Sequence, residues 1–181
     1  MKKKLVFLLF FAAHNLTAQV LTNFNTRYND AFVDWEIFTD SLDDHAGNLT
    51  MTWQNPDDWS QWTYRIGEQS GSIKTKWARD FESWEVRGDN KIVSVQTIFR
   101  GDVRQWRITD NNFSLELTCR DGLRCDEWSV DDAKRGQIQI FTNLRGDPRN
   151  WNVDDQLDPS VSLPMKMALV FIAILNSIPK H

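Results

Sequence analysis

Residues 75–86, TKWARDFESWEV, recur with small changes as TIFRGDVRQWRI at 97–108 and as TNLRGDPRNWNV at 142–153. Each copy closes with a tryptophan, a polar residue and an apolar residue. Working outward from these copies gives six equivalent tryptophans, 27, 22, 22, 22 and 23 residues apart: Trp35, Trp62, Trp84, Trp106, Trp128 and Trp151. A repeat of this length is one supersecondary unit, which buries its apolar face only against its neighbours. The chain is therefore predicted to be a sixfold repeat.

Polar and apolar residues alternate around each repeat tryptophan. The position 11 residues before it and the position two residues after it are apolar in all six copies, whereas its immediate neighbours are polar. This period of two predicts β-strands with one buried face. The segments between the strands, such as ARDF at 78–81 and RGDV at 100–103, have the composition of tight turns. Each unit is therefore predicted to be a β-hairpin, and six hairpins give about twelve antiparallel strands.

The C-terminal segment indicates how such a sheet closes. Ser162 and Pro164 have the positions of a helix N-cap and a first-turn proline, and residues 165–178, MKMALVFIAILNSI, are apolar on every side. Such a helix is buried all round or spans a membrane, but 14 residues cover about 21 Å, less than the ~30 Å hydrocarbon core. We therefore expect an all-β fold with one C-terminal helix. Hairpins at about 20–158 form a meander barrel whose lumen holds the helix at about 163–178.

About twelve antiparallel strands followed by an apolar C-terminal helix resemble the Tubby C-terminal-like fold, which phospholipid scramblases share. The regular tryptophan-bearing hairpins also resemble the shallow hairpin-repeat barrels described as β-flowers. The resemblance is architectural and covers roughly residues 20–181. It implies a barrel around a central hydrophobic helix and, through family members with lipid roles, a lipid or membrane-surface partner. The Tubby-family phosphoinositide motif does not occur in the sequence, so the resemblance carries over no functional residue.

The N-terminus has the pattern of a secretory signal. Lysines at positions 2–4 precede an apolar run at 5–13, and Ala18 stands before Gln19 at the expected cleavage point. We expect a signal peptide at 1–18 and a single domain at 19–181. The alternative is an uncleaved anchor, for which the apolar run is short. Because the first cysteine is Cys119, a lipoprotein is disfavoured, and the protein is expected in the periplasm or outside the cell.

The net charge disfavours one class of partner, and the cysteine content indicates a disulfide. Removal of three lysines changes the formal charge from −4 to −7 (−4 − 3), which disfavours nucleic acid. Export permits a disulfide between Cys119 and Cys125, and the alternative is two free thiols. Trp53 and Trp59 occupy the same two offsets in the second repeat, so both pairs are predicted to be cross-strand neighbours.

The sequence contains no catalytic signature. Within 19–181 the histidines are His45 and the terminal His181, which leaves a nucleophilic site without fixed partners. The RGD tripeptides at 100–102 and 145–147 fall at the turn offset of the repeat, so we interpret them as turn chemistry rather than adhesion motifs. Acidic residues gather at the opposite ends of the strands. They are predicted to form a solvated rim that includes Asp110, with a weak calcium alternative at Asp131, Asp132, Asp154 and Asp155.

These observations predict a non-catalytic binding or interaction module for a lipid, a membrane surface or an envelope component, without a cofactor. Trp59 and Trp77 are the aromatic residues expected to be exposed and to bind a ligand. Two alternatives remain open. One is an enzyme acting on an envelope polymer, and the other is an outer-membrane barrel whose tryptophans face lipid.

Overall fold

The structure, a computed structural model, describes residues 19–28, 31–40, 47–52, 58–121 and 124–177. The predicted signal peptide at 1–18, together with His45, Trp53 and His181, lies outside the described residues. Within them, twelve strands are followed by one helix: β1 (Leu21–Tyr28), β2 (Ala31–Thr39), β3 (Gly47–Met51), β4 (Gln61–Ile66), β5 (Gln69–Thr75), β6 (Ser83–Gly88), β7 (Lys91–Thr97), β8 (Gln105–Thr109), β9 (Ser114–Cys119), β10 (Glu127–Asp132), β11 (Gly136–Thr142), β12 (Asn150–Leu157) and α1 (Leu163–Ser177).

The strands form a closed antiparallel barrel. Each strand pairs with its neighbours in the chain, and β1 closes the barrel against β12 with Phe24 opposite Trp151. Closure removes both sheet edges, which an open meander would expose to pairing with other chains. The predicted fold class, an all-β meander barrel with one C-terminal helix, is confirmed.

The two ends of the barrel differ. One end of the barrel, which we call the hairpin-tip face, contains loops 76–82, 98–104 and 143–149, the described residues 120–121 and 124–126, residues 58–60, and the adjoining ends of β1 and β2. The short turns between repeats and the segment leading into α1 lie at the other end, which we call the acidic end. The helix runs from the acidic end through the lumen to the hairpin-tip face, where Ser177 Oγ donates a hydrogen bond to the carbonyl oxygen of Cys125 at 3.2 Å.

The repeat tryptophans fill the space between the barrel wall and the helix. All six are at most 1% exposed, and residues 163–175 of α1 are buried. Phe171 of α1 meets Trp62 and Trp84 edge-on, with ring centroids 5.6 and 4.8 Å apart, a favoured aromatic geometry. The outer wall carries charged pairs such as Lys74–Glu85. The tryptophans therefore face the lumen, and the alternative in which they face lipid is wrong.

The sequence suggested a helix that is apolar on every side. The structure differs, because α1 contains a buried charged residue. Lys166 is 1% exposed, and its Nζ lies 2.7 Å from Oδ2 of Asp155 on β12. The aspartate side chain is itself fully buried. A buried charge needs such a partner because water no longer solvates it. In the described part of the chain, no helix combines the length and apolar character needed to cross a membrane.

Candidate functional site: the hairpin-tip face

Three loops of the hairpin-tip face contain the same hydrogen-bonded turn. A large apolar residue opens the turn, and its carbonyl oxygen accepts a hydrogen bond from the N–H of an aspartate three residues later. The three pairs are Trp77–Asp80 at 3.1 Å, Phe99–Asp102 at 3.0 Å and Leu144–Asp147 at 2.9 Å. The third residue of each turn has a left-handed backbone, with φ of 62° at Arg79, 82° at Gly101 and 79° at Gly146. Glycine adopts this conformation without steric cost, which explains two of the three residues.

The aspartates hold these turns closed. Oδ1 of Asp102 accepts the backbone N–H of Arg104 at 3.0 Å, and the Arg104 guanidinium donates two further hydrogen bonds to the same carboxylate at 2.9 Å. These side-chain bonds from Arg104, followed by its backbone N–H, lower the pKa of Asp102 to about 2. Asp147 and Arg149 repeat the arrangement. The interpretation of both RGD tripeptides as turn chemistry is consistent with this geometry, because each aspartate is engaged inside its own loop.

A second repeated contact anchors the loops to the core. The indole N–H of a repeat tryptophan donates to the carbonyl oxygen three residues earlier in five pairs: Trp35–Phe32, Trp62–Trp59, Trp84–Phe81, Trp106–Val103 and Trp151–Pro148, at 2.7–3.0 Å. Trp128 differs, and its N–H finds no partner among the described residues. In that repeat the carbonyl of Cys125 accepts Ser177 instead. The loops are thus tied to the buried wall by backbone contacts, while their side chains stay available.

The loops present large apolar side chains to solvent. The position seven residues before the repeat tryptophan holds Tyr28, Trp77, Phe99 and Leu144 in four repeats, and these are 61–67% exposed. Phe81 and Val103 on the same face are 39% and 40% exposed. Six of the eight exposed large hydrophobic residues in the described ranges therefore lie on the hairpin-tip face. Sequence reasoning identified only Trp77 of this set, although the recurring apolar residue within polar turn sequences was the signal that could have revealed the others.

The two tryptophans predicted to be exposed differ in their surroundings. Trp77 is 66% exposed at a turn. Trp59 is half-buried instead, because it packs against the core and its ring centroid lies 5.8 Å from that of Trp62. The hairpin-tip face therefore presents Trp77 with Phe99 and Leu144, rather than with Trp59 as predicted.

Arginines are interleaved with these apolar side chains. Arg100 and Arg145 directly follow Phe99 and Leu144 in sequence, and Arg79 lies two residues after Trp77. These three arginines form no ion pair with any residue that the structure describes, in contrast to Arg104 and Arg149. The hairpin-tip face thus combines exposed apolar side chains with arginines that form no ion pair among the described residues.

The fifth tip loop carries the predicted disulfide. Cys119 and Cys125 are bonded, with Cα atoms 5.2 Å apart. Their predicted placement as cross-strand neighbours is wrong, because Cys119 at the end of β9 pairs with Trp128, and Cys125 lies in the loop with φ of 54°. The bridge fixes the loop against the strand that precedes it.

A shallow groove of about 520 Å³ lies between the fifth and sixth tip loops and is lined by Asp121, Asp126, Glu127, Gln139, Phe141, Thr142 and Arg145. Two of its carboxylates hold loop backbone. Asp121 accepts the N–H groups of Arg124 and Cys125, and Asp126 accepts the N–H of Gly146. These contacts give both groups a structural role in holding the loops.

The four aspartates of the calcium alternative have different surroundings at the acidic end. Asp155 binds Lys166, Asp132 accepts the N–H of Lys134, and Asp154 accepts the Gln156 side chain, while Asp131 is exposed. Within the described ranges, no three His, Cys, Asp or Glu side chains are grouped to hold a metal. The expected solvated rim is also wrong at two positions, because both Asp155 and Asp110 are 8% exposed.

Comparisons with protein-family models, with curated proteins and with solved structures return no match. The assignment of function therefore depends on the geometry and chemistry of the hairpin-tip face.

Proposed function

We propose that this protein is an exported, non-catalytic binding module that docks on a lipid surface through its hairpin-tip face. The observation that carries the proposal is the recurrence of an exposed apolar side chain at one offset of the repeat, in Tyr28, Trp77, Phe99 and Leu144. An apolar patch of this kind on a soluble fold marks an interaction surface.

The kind of side chain supports a membrane interface. Tryptophan and tyrosine have an apolar ring and a polar group, and they concentrate where hydrocarbon meets water. Arginine places its charged group among lipid phosphates while its methylenes lie along apolar surface. The neighbouring Arg100 and Arg145 are not neutralised by any described carboxylate, so they are available to phosphate groups.

The arrangement also supports a flat partner. The loops of an up-and-down barrel surround one mouth, so the repeat distributes its apolar residues around that mouth rather than along one groove. A lipid surface contacts all of them at once. The acidic end, with residues such as Asp89, Asp131 and Asp158, then points away from anionic lipid, which avoids charge repulsion.

Sedimentation with vesicles of phosphatidylethanolamine and phosphatidylglycerol tests the proposal. The processed protein should pellet with the vesicles, and Trp77→Ser, Phe99→Ser and Leu144→Ser together should abolish binding. Each anchor contributes about 1.5–3 kcal/mol when it is fully buried, so each single substitution should weaken binding by about tenfold or more. Ile92→Ser is the matched control, because Ile92 is 47% exposed on the outer wall. This variant should bind vesicles as strongly as the unmodified protein does.

Two results would contradict the proposal. One is failure of the folded protein to pellet with vesicles of either zwitterionic or anionic composition. The other is equal binding by the triple variant and the Ile92→Ser control, which would place the contact elsewhere on the surface.

A further inference from the structure

The groove between the fifth and sixth tip loops reaches onto the outer side of the barrel wall. Its lining includes Gln139 and Phe141, which face outward from β11, whereas Ile138 and Ile140 of the same strand are fully buried. Glu127 on β10 lies opposite Phe141 in the strand pairing. The Glu127 carboxylate and the Phe141 ring are therefore neighbours on the outer surface, next to the tip loops.

The two sides of the groove are tied together by backbone contacts. Oδ2 of Asp126 in the fifth loop accepts the N–H of Gly146 in the sixth loop at 3.0 Å, and the carbonyl oxygen of Asp126 accepts the N–H of Thr142 at 2.9 Å. The Cys119–Cys125 bond also restrains the fifth loop. A site that is held in place before binding loses little conformational freedom when a ligand enters it.

The groove contains charges of both signs that do not pair with each other. Glu127 and Arg145 line the same groove, yet neither forms an ion pair with any described residue. Its volume of about 520 Å³ lies within the range of roughly 300–1,000 Å³ that small-molecule sites have. An unpaired carboxylate and an unpaired guanidinium in one groove are complementary to a ligand that carries a cation and an anion on one short chain.

The lining favours a primary ammonium as the cationic group. Such a group has three N–H donors, and the lining supplies the carboxylates of Glu127 and Asp126 and the amide oxygen of Gln139 as acceptors. A quaternary ammonium donates no hydrogen bond and is recognised by cages of aromatic rings. Among the described residues that line the groove, Phe141 is the single aromatic one.

The position of Arg145 favours a phosphate as the anionic group. A guanidinium binds phosphate through two parallel hydrogen bonds. Arg145 directly follows Leu144, which is 67% exposed. If Leu144 enters the hydrocarbon as the proposed function requires, Arg145 and the adjoining groove lie at the depth of the lipid headgroups.

We propose that this groove binds the headgroup of phosphatidylethanolamine, with its ammonium group at Glu127 beside the Phe141 ring and its phosphate at Arg145. The inference rests on the proposed function and specifies the lipid that the docked protein selects. Phosphatidylglycerol has the phosphate without the ammonium group. Phosphatidylcholine has the same phosphate, but its trimethylated cation cannot donate a hydrogen bond to Glu127.

Sedimentation with two sets of vesicles tests the proposal. Both sets contain phosphatidylglycerol, mixed with an equal amount of either phosphatidylethanolamine or phosphatidylcholine. The unmodified protein should bind the ethanolamine set about tenfold more tightly, because charged hydrogen bonds to the ammonium group form only there. Glu127→Gln should bind both sets equally and keep its thermal midpoint, since the side chain is exposed.

A matched control separates the groove from general charge effects. Glu68→Gln makes the same change at an exposed position in the β4–β5 turn, at the acidic end, and should keep the preference for the ethanolamine set. A preference that arose from the looser packing of phosphatidylethanolamine would survive in both variants.

A second pair of variants tests the phosphate contact. Arg145→Gln should reduce the preference for the ethanolamine set, because the phosphate no longer holds the ammonium group at Glu127. Arg100→Gln is the control, since Arg100 also forms no ion pair with a described residue but does not line the groove. It should weaken binding to both sets and leave the preference unchanged.

The outcomes distinguish this proposal from the proposed function. Failure of the folded, unmodified protein to bind either set would overturn both. Equal binding of the unmodified protein to both sets would refute headgroup selection and leave docking standing. A preference that persists in Glu127→Gln would refute the groove as its source, and one that persists in Arg145→Gln would refute the phosphate contact.

Discussion

At the scale of single residues, the repeat tryptophan does two things. Its ring fills the space between wall and helix, and its N–H fixes the loop above it through the carbonyl three residues earlier. This second contact explains why the position bears tryptophan, because an aliphatic residue would fill part of the volume and leave the loop without that hydrogen bond. A buried indole N–H normally has such a partner.

Replacement of Trp106 by alanine tests this role. Trp106 is 0% exposed and donates to Val103 at 2.7 Å, so the variant should lose about 3–5 kcal/mol of unfolding free energy, measured by urea denaturation. Trp77→Ala is the control, and its effect should stay within about 0.5 kcal/mol because the side chain is exposed. Equal stability of the Trp106 variant and the unmodified protein would show that the ring is not a core residue.

The Lys166–Asp155 pair makes a second prediction at this scale. Lys166→Met leaves a buried carboxylate without its cation and should cost about 3–5 kcal/mol. The double variant Lys166→Met/Asp155→Leu should be more stable than the single variant, because it removes the stranded charge. The double variant should still be less stable than the unmodified protein, since Asp155 also accepts the N–H groups of Leu21 and Leu157. Chemical denaturation of the unmodified protein and the two variants measures their order of stability. A double variant less stable than the single variant would contradict the prediction.

At the scale of elements, each hairpin is stable only when it pairs with the neighbouring strands of the barrel. Its loop is held by local contacts. The fifth hairpin substitutes a disulfide for part of this organisation. There the indole N–H of Trp128 has no described acceptor, and the Cys119–Cys125 bond restrains the loop instead.

Removal of that bond should therefore be measurable. The double variant Cys119→Ala/Cys125→Ala should unfold with a free energy lower by about 2 kcal/mol, the value expected for a loop of a few residues. Mass spectrometry of the non-reduced protein, recovered from an oxidising compartment, should show no iodoacetamide uptake. Full alkylation without reductant would refute the bridge.

The helix is the element on which the barrel depends. Burial of Leu169, Phe171, Ile172 and Leu175 contributes about 1.5–3 kcal/mol each, which in sum is comparable to a domain's net stability of about 5–15 kcal/mol. Truncation after Asp158 should therefore give an unfolded or aggregated product by circular dichroism and size-exclusion chromatography. Ala173→Asp should act in nearly the same way, because it places an unpaired charge in a dry core.

Asn176→Asp is the matched control for that charge, since Asn176 is only partly buried near the end of α1. It should leave the fold intact. A truncated protein that stays monomeric and β-rich with an unchanged thermal midpoint would show that the sheet is self-sufficient and that the helix has another role.

The sequence predicts those features that local patterns determine. The alternation around Trp84 or Trp106 identifies strands, and the apolar run after Pro164 identifies the helix. The Lys166–Asp155 pair could not be predicted, because it depends on how deeply α1 enters the lumen. The placement of Cys125 depends on a left-handed backbone that spacing alone does not reveal. The exposed set at Trp77 and Phe99 is present in the sequence, but turn residues are expected to be exposed, so a large apolar side chain there is recognised only when the repeats are aligned.

At the scale of the whole molecule, the barrel has two chemically different ends. The hairpin-tip face carries exposed apolar side chains, and its Arg79, Arg100 and Arg145 form no ion pair with any described residue. Carboxylates such as Asp89 and Asp158 lie at the other end. Docking through the hairpin-tip face would give such a barrel a defined orientation on a lipid surface. The proposed function therefore requires that one end, and not the outer wall, enters the lipid interface.

Depth measurement with spin labels tests this claim most directly. Labels placed through Phe99→Cys and Ile92→Cys sit beyond the tip end of β7 and near its opposite end, at positions 61% and 47% exposed. On vesicles of phosphatidylethanolamine and phosphatidylglycerol, the label at 99 should become accessible to oxygen and protected from a water-soluble relaxation agent, while the label at 92 should stay aqueous. Equal aqueous accessibility of both labels on vesicle-bound protein, or protection of the label at 92 alone, would contradict docking through the hairpin-tip face.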